Sequence, residues 1–207
     1  MNYLQLCQRL VQETGIADSG PATVTGQSGD MLRVVNWIND SWVKIQSMRP
    51  DWSWMWAQGS AVLAEGSDSI TLPATVERLS LVHINNGVLN PITFADYSRA
   101  YLTTSAGKPN LYSIRPNGDV AFNATADADY TVYYDYYKAP AYFTGGTDAP
   151  TLPTRYHMLI VYNALRQYAQ FDVAPELEAK AVLNFEDMLA DLSRDQQPHV
   201  LLPETLA

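Results

Sequence analysis

The side chains that could catalyse a reaction or bind a metal are few and lie far apart in the sequence. The three histidines are His83, His157 and His199, and none has a cysteine or carboxylate beside it at the spacing of a metal-ligand motif. Cys7 lies among the apolar positions of the first predicted helix, where a buried structural thiol is expected rather than a nucleophile. The sequence therefore predicts no metal, no cofactor and no catalytic thiol.

Three aspartates, Asp127, Asp129 and Asp135, could in principle supply an acid/base pair. Asp127 and Asp129 flank a turn that leads into a tyrosine-rich segment, a position where aspartate is common for conformational reasons. The sequence contains no nucleophile elbow, no phosphate-binding glycine loop and no dinucleotide fingerprint. We therefore expect that the protein is not an enzyme.

The amino-acid composition indicates a folded protein that does not bind nucleic acid. The 207 residues carry a net charge of -9, and the lysines and arginines are scattered rather than clustered into a phosphate-binding patch. The sequence has no signal-peptide pattern and no apolar run of about eighteen residues, so we expect the chain to be made and kept in the cytoplasm unless a larger assembly carries it out.

Helical spacing of apolar residues predicts four long helices. The first covers residues 2–14 and ends at Gly15, and the second covers residues 30–48 and is stopped by Pro50. After a flexible link, FTGGTDAPTLP, two further helices form an antiparallel hairpin joined through residues 172–174.

The middle of the chain has the pattern of β structure. Two short strands surround the turn AEGSDS, and turn residues predict hairpins around Asn86-Gly87 and around residues 116–119. A short helix is expected over residues 94–102, and the last strand, ADYTVYYDYYKAP, has bulky side chains on both faces, so we expect both faces to be covered.

These elements predict an α+β fold. A helical module is formed from residues 1–53 and 150–196, a small antiparallel β module from residues 54–140, and an extended C-terminal arm from residues 197–207.

Tryptophan alternates with other residues at Trp52, Trp54 and Trp56, and this cluster has two interpretations. The rings either seal the packing between helices and sheet or form a platform for a ligand. Because a basic groove is missing, single-stranded nucleic acid is disfavoured as that ligand. An aromatic-rich glycan- or receptor-binding module of a phage or surface structure therefore remains open as an alternative function.

The order of the elements resembles that of the head-to-tail adaptor, or head completion (connector), proteins of tailed bacteriophages. The resemblance rests on Trp37 and Trp42 within the second helix, the closing turn RPDW, the strand end YYKAP, and LPTRYHMLIVYNALRQYAQ before an acidic helix. It implies a structural virion protein at the head-tail junction, assembled in the host cytoplasm as a homo-oligomeric ring, usually of twelve copies. Its partners would be the portal protein and a tail or nozzle protein, with DNA passing through unbound and no membrane involved.

Two groups of residues are candidates for these contacts. Val200, Leu201, Leu202 and Pro203 lie in an arm too short to bury its own apolar side chains, so we expect them to contact the portal or a neighbouring subunit. Glu178, Asp187 and Asp191 of the final helix are candidates for facing the channel, where negative charge repels DNA phosphates. A solvated outer face is the equally open alternative for these three carboxylates.

Overall fold

A computed structural model describes residues 1–15, 19–101 and 104–196, which form five helices and eight strands. The helices are α1 (Tyr3–Thr14), α2 (Gly29–Ser47), α3 (Phe94–Ala100), α4 (His157–Phe171) and α5 (Pro175–Asp195). The strands are β1 (Trp56–Leu63), β2 (Ser69–Ile70), β3 (Val76–Ile84), β4 (Gly87–Val88), β5 (Asn90–Pro91), β6 (Leu111–Ile114), β7 (Val120–Phe122) and β8 (Tyr130–Lys138). The predicted α+β class is confirmed.

The chain divides into two compact units. The helical unit comprises Met1–Trp54 together with the chain from Pro140 onward, and the sheet unit comprises Met55–Ala139. The described residues before and after the sheet unit therefore form one unit, and the sheet unit is an insertion between them.

The helical unit has a core built from three helices. The helices α1, α2 and α4 pack on one another, and α5 packs mainly against α4. The fully buried side chains at this core include Leu6, Leu10, Ile38, Ile45, Leu159, Ile160 and Leu165. In α5 only Ala181 and Leu192 are buried, so most of the surface of this helix stays accessible.

The ends of α1 are capped by local chemistry. Asn2 Oδ1 accepts a hydrogen bond from Gln5 N, and Asn2 N donates to Gln5 Oε1, each at 2.9 Å. This reciprocal pair is a capping box, and it satisfies amide groups that a helix start leaves without partners. At the other end Gly15 adopts φ 75°, the left-handed conformation expected of a glycine that ends a helix.

The link between β8 and α4 is firmly attached, so the expectation of a flexible link is wrong. The Asn39 side-chain amide of α2 bonds to both the N–H and the C=O of Phe143, at 2.8 and 3.2 Å. Seven residues later in α2, the Gln46 side-chain amide bonds to both the N–H and the C=O of Ala141, at 3.1 and 2.9 Å. Two side-chain amides thus provide the hydrogen bonds that a neighbouring strand would supply, and these partners cannot be read from the composition of the link.

The same link also fixes the start of α1. Tyr3 N donates to the Asp148 carbonyl at 2.7 Å, and Leu4 N donates to the Gly146 carbonyl at 3.1 Å. The Asp148 carboxylate accepts from the amides of Gly145 and Thr144, and these hydrogen bonds lower the pKa of that carboxyl.

Five stacked aromatic rings run through the helical unit. Successive centroids, from Tyr3 to Phe143, Trp42, Trp54 and Trp52, lie 4.9, 5.4, 5.4 and 5.8 Å apart. Phe143 thus sits between a ring of α1 and a ring of α2, and burial of this large apolar area stabilises the arrangement. Within this unit, Trp52 and Trp54 are packing residues.

The sheet unit contains two four-stranded sheets rather than a single antiparallel module. One has the order β1-β8-β3-β4 and the other β2-β7-β6-β5, in which β5 and β6 are parallel. The predicted neighbours β1 and β2 lie in different sheets, because β1 pairs over its whole length with β8. The turn between β3 and β4 places Asn85 and Asn86 at positive φ, one residue earlier than expected.

The two sheets share one core. Its buried residues include Leu63, Ile84, Phe122, Val132 and Tyr134. The Tyr134 ring crosses the backbone of β1 so closely that a Cβ atom at position 59 would lie 2.5 Å from Tyr134 Cε2, which explains the glycine there. On the opposite face of β8, Tyr133 is 46% exposed. The expectation that both faces of β8 are covered is therefore wrong.

Candidate interaction surfaces

The histidines and the cysteine are structural wherever they are described. His157 is buried, and its Nε2 lies 3.1 Å from the Leu152 carbonyl oxygen. The His83 ring stacks on Tyr133 with centroids 5.4 Å apart. Burial raises the pKa of the Cys7 thiol to about 12, which leaves it protonated and unreactive at neutral pH. His199 lies outside the described residues.

Each of the three aspartates considered for acid/base chemistry has a separate structural partner. Asp127 accepts a hydrogen bond from the Tyr130 hydroxyl at 2.7 Å, Asp129 accepts from Glu65 N at 2.8 Å, and Asp135 accepts from Gln58 Nε2 at 2.9 Å. Across residues 1–15, 19–101 and 104–196, no group of three or more histidine, cysteine or acidic side chains is arranged to hold a metal ion.

The three acidic candidates of α5 do not share one side of the helix. Glu178 is half-buried against α4, where its Oε1 accepts from Gln170 Nε2 at 2.7 Å and lies 3.9 Å from Arg166 Nε. At 3.6 residues per turn, the nine residues from Glu178 to Asp187 turn the helix by about 180°. Asp187 and Asp191 are one turn apart and exposed, and Asp191 pairs with Arg194 at 3.0 Å. The structure thus brings Asp187 and Asp191 together and separates them from Glu178.

The predicted contact residues of the arm, Val200, Leu201, Leu202 and Pro203, lie outside the described residues. The last described positions are Asp195, which ends α5 and accepts a hydrogen bond from the Tyr156 hydroxyl at 2.6 Å, and Gln196, which bonds to Ser53. The segment 197–207 therefore starts from a helix end that is attached to its own unit.

One face of the β1-β8-β3-β4 sheet is open to solvent and partly apolar. We call it the open face; on β1 and β8 it consists of the exposed or half-buried residues Trp56, Gln58, Ser60, Val62, Thr131, Tyr133, Asp135 and Tyr137. Val62 is 64% exposed and Trp56 is 45% exposed. The Arg78 guanidinium lies 5.2 Å from the centroid of Tyr137, so the face also presents a cation–π pair. Trp56 thus does not act as a core residue, whereas Trp52 does.

A second apolar surface lies on the helical unit, where α4 turns into α5. We call it the helix-end patch; it consists of Arg33, Trp37 and Phe171, whose side chains are in contact, and of Val173 in the turn two residues after Phe171. The rings of Trp37 and Phe171 lie 5.8 Å apart, and the Arg33 guanidinium sits 4.2 Å from the Phe171 centroid. Phe171 is 53% exposed and Val173 is 84% exposed. Val173 also adopts φ 54°, which is strained for a β-branched residue.

Sequence reasoning missed both surfaces, although signals for each exist. Val173 stands in the helix-to-helix turn DVAP, where glycine or asparagine is the usual residue. The strand WAQGSAVL is eight residues long and contains no charge.

Among the residues that the structure describes, no helix combines the length and apolar character needed to cross a lipid bilayer.

Exposed apolar patches of this kind are typical of surfaces that bind another molecule, in most cases another protein. In agreement, the family model described as SU10 adaptor protein matches residues 1–202. The chain belongs to this family, and it is a structural adaptor protein of the phage virion. No curated protein matches the chain.

Proposed function

We propose that this protein forms a homo-oligomeric ring that joins the portal of a phage head to the tail. The ring contains twelve copies, stands at the head-tail junction and contacts the portal protein on one side and a tail or nozzle protein on the other. The observation that carries this proposal is the family match over residues 1–202.

The described surfaces support ring assembly. A ring made from one kind of chain repeats a head-to-tail contact, and such a contact requires two different surfaces on each copy. The helix-end patch belongs to the helical unit, and the open face belongs to the sheet unit. Both contain exposed aromatic rings, which are enriched at protein–protein interfaces.

The charge of the chain suits a channel through which DNA slides. The net charge is -9, and cationic patches that would retain DNA phosphates are missing from the sequence. Asp187 and Asp191 are the carboxylates that we propose face this channel, because both are exposed on one side of α5. We do not propose this role for Glu178, because its carboxylate contacts Gln170 and Arg166 of α4.

The residues Val200, Leu201, Leu202 and Pro203 are proposed to supply a contact to the portal or to a neighbouring copy. They combine apolar side chains with a proline that cannot donate a backbone hydrogen bond. Such a segment gains most by binding to a surface that is already formed.

Negative-stain imaging of the purified protein, alone and mixed with its portal, tests the proposal. Rings alone, or rings on portal particles, are expected for the full chain and should be lost when residues 197–207 are deleted. The melting temperature of the deletion variant serves as the control and should be nearly unchanged. A protein that stays monomeric with and without portal, and that is retained on a glycan column, would support the glycan- or receptor-binding alternative instead.

A further inference from the structure

The sheet unit has one long free edge that is both regular and uncharged. In the sheet β1-β8-β3-β4 one edge is β1, with eight residues. The other edge is β4 over its two residues and the remainder of β3, which is interrupted by two register shifts and carries Glu77 and Arg78. In the sheet β2-β7-β6-β5 both edge strands have two residues, and β5 ends in Pro91. Short edges and proline are common ways in which proteins prevent another strand from pairing. β1 has neither protection.

The backbone of β1 is available for pairing. Its register with β8 is continuous from Trp56 to Leu63, whereas the register of β3 shifts twice. Within the described part of the chain, the backbone of β1 forms hydrogen bonds with β8 alone. Every second N–H and C=O of β1 therefore points away from the sheet, in the pattern that a further strand can join.

The side chains of β1 also leave room for another strand. Those on its inner face are Ala57, Gly59, Ala61 and Leu63, and all except Leu63 are small and only half-buried. A strand beside β1 could place apolar side chains next to these small residues on one face and beside Trp56 and Val62 on the other. The edge carries no charge to oppose an uncharged partner.

The chain contains a segment of matching character outside the described residues. Residues 197–207 read QPHVLLPETLA, and the four residues from His199 to Leu202 lie between two prolines. All four have backbone N–H donors, whereas Pro198 and Pro203 do not, so a ladder formed by this segment would end at the prolines. Val200 and Leu202 would point to one face of the sheet and Leu201 to the other.

We infer that residues 199–202 of one copy add as a short strand to the free edge of β1 in a second copy. This inference rests on the proposed ring, and it names the receiving surface for the 197–207 segment. Backbone hydrogen bonds would supply the pairing, and the alternating apolar side chains would supply selectivity.

A lysine on the receiving edge tests the inference in the full chain. Val62→Lys places a charge on the exposed face of β1 at its free edge, and we expect loss of assembly. Ile114 is also an exposed apolar residue, but it lies on the interior strand β6 of the other sheet and belongs to neither the open face nor the helix-end patch. Ile114→Lys is therefore the matched control and should assemble normally. Normal assembly of Val62→Lys, with assembly lost on deletion of residues 197–207, would overturn the inference while leaving the proposed ring intact.

A synthetic peptide of residues 197–207 gives a second readout that does not depend on ring formation. Added in excess to the full chain at a dilution where the chain is monomeric, it should slow amide hydrogen exchange in residues 56–63 and should not do so in Val62→Lys. Only alternate amides of an added strand face its neighbour. One of the two singly N-methylated peptides, at Leu201 or at Leu202, should therefore lose the protection, and the other should keep it. Absence of protection, or equal effects of the two N-methyl groups, would refute strand addition.

Cross-linking decides whether the segment reaches a second copy. A mixture of Ser60→Cys chains and Leu201→Cys chains, treated with a short bifunctional maleimide, should give a band of two chains. The native Cys7 is buried and should not react. A chain carrying both substitutions that links only within itself would show that the segment binds its own sheet, which contradicts the inference.

Discussion

Val173 provides the sharpest test of the link between local strain and assembly. It occupies the turn between α4 and α5 at φ 54° and is 84% exposed. A left-handed conformation costs an ordinary residue about 1–2 kcal/mol, and this cost does not apply to glycine. Because the Val173 side chain contacts little of its own chain, Val173→Gly should release the strain with little loss of packing.

The net effect follows from two opposing terms. Release of strain contributes about 1–2 kcal/mol, and the greater freedom of glycine in the unfolded chain removes about 0.4–1 kcal/mol. We therefore expect Val173→Gly to raise the free energy of unfolding by about 0.8 kcal/mol, within limits of about 0 and 1.6 kcal/mol set by the two ranges. With a urea m-value of about 2 kcal/mol/M, the midpoint should rise by about 0.4 M.

Urea unfolding of the dilute monomer, followed by tryptophan fluorescence, measures this shift. The control is Ala179→Gly, since Ala179 is an exposed residue in the interior of α5. That substitution should lower the midpoint, because glycine destabilises a helix interior by about 0.5–1 kcal/mol relative to alanine. At concentrations where the unaltered chain assembles, Val173→Gly should weaken assembly, which is the opposite direction from its effect on stability. A lower midpoint for Val173→Gly would refute the strain argument, and unchanged assembly would remove the helix-end patch from the interface.

Three further predictions concern the helical unit. Phe143→Ala should lower the free energy of unfolding by about 3–5 kcal/mol, because it removes the central ring between α1 and α2; chemical denaturation measures this loss. Burial lowers the pKa of His157 in the folded state, so the unfolded state takes up a proton first and the free energy of unfolding should fall as pH drops below about 6.5. In thermal melts, His157→Gln should flatten the dependence of the melting temperature on pH. An unchanged dependence would contradict this role. Replacing Asp187 and Asp191 by lysine should slow genome ejection at low salt and less so at high salt, whereas Glu178→Lys, on the other side of α5, should not.

Local signals predicted the helices well. The apolar period placed α1 and α2 within one residue of their observed ends, and Gly15 adopts the expected left-handed conformation. Such features are determined within a few turns of chain, so a single sequence contains the information. The hairpin of β6 and β7 was found for the same reason, since its turn residues lie between its strands.

Long-range pairing could not be predicted in this way. The strand β1 pairs with β8, which begins more than sixty residues later, and no turn signal joins them. The attachment of the link to α2 likewise depends on Asn39, about a hundred residues before Phe143. The separation of Glu178 from Asp187, in contrast, could have been predicted from the sequence, because the helical period alone places the two residues on opposite sides of α5.

Two positions in this chain hold residues that an isolated domain would be expected to avoid. A turn at φ 54° favours glycine or asparagine, yet it holds an exposed valine. A long edge strand favours lysine or proline, yet β1 has neither. Each departure exposes apolar surface, and neither improves contacts that the chain makes with itself. Departures of this kind occur where function sets the residue. Under the proposed ring both have one physical explanation, because surfaces that are covered by a neighbouring copy no longer need protection from it.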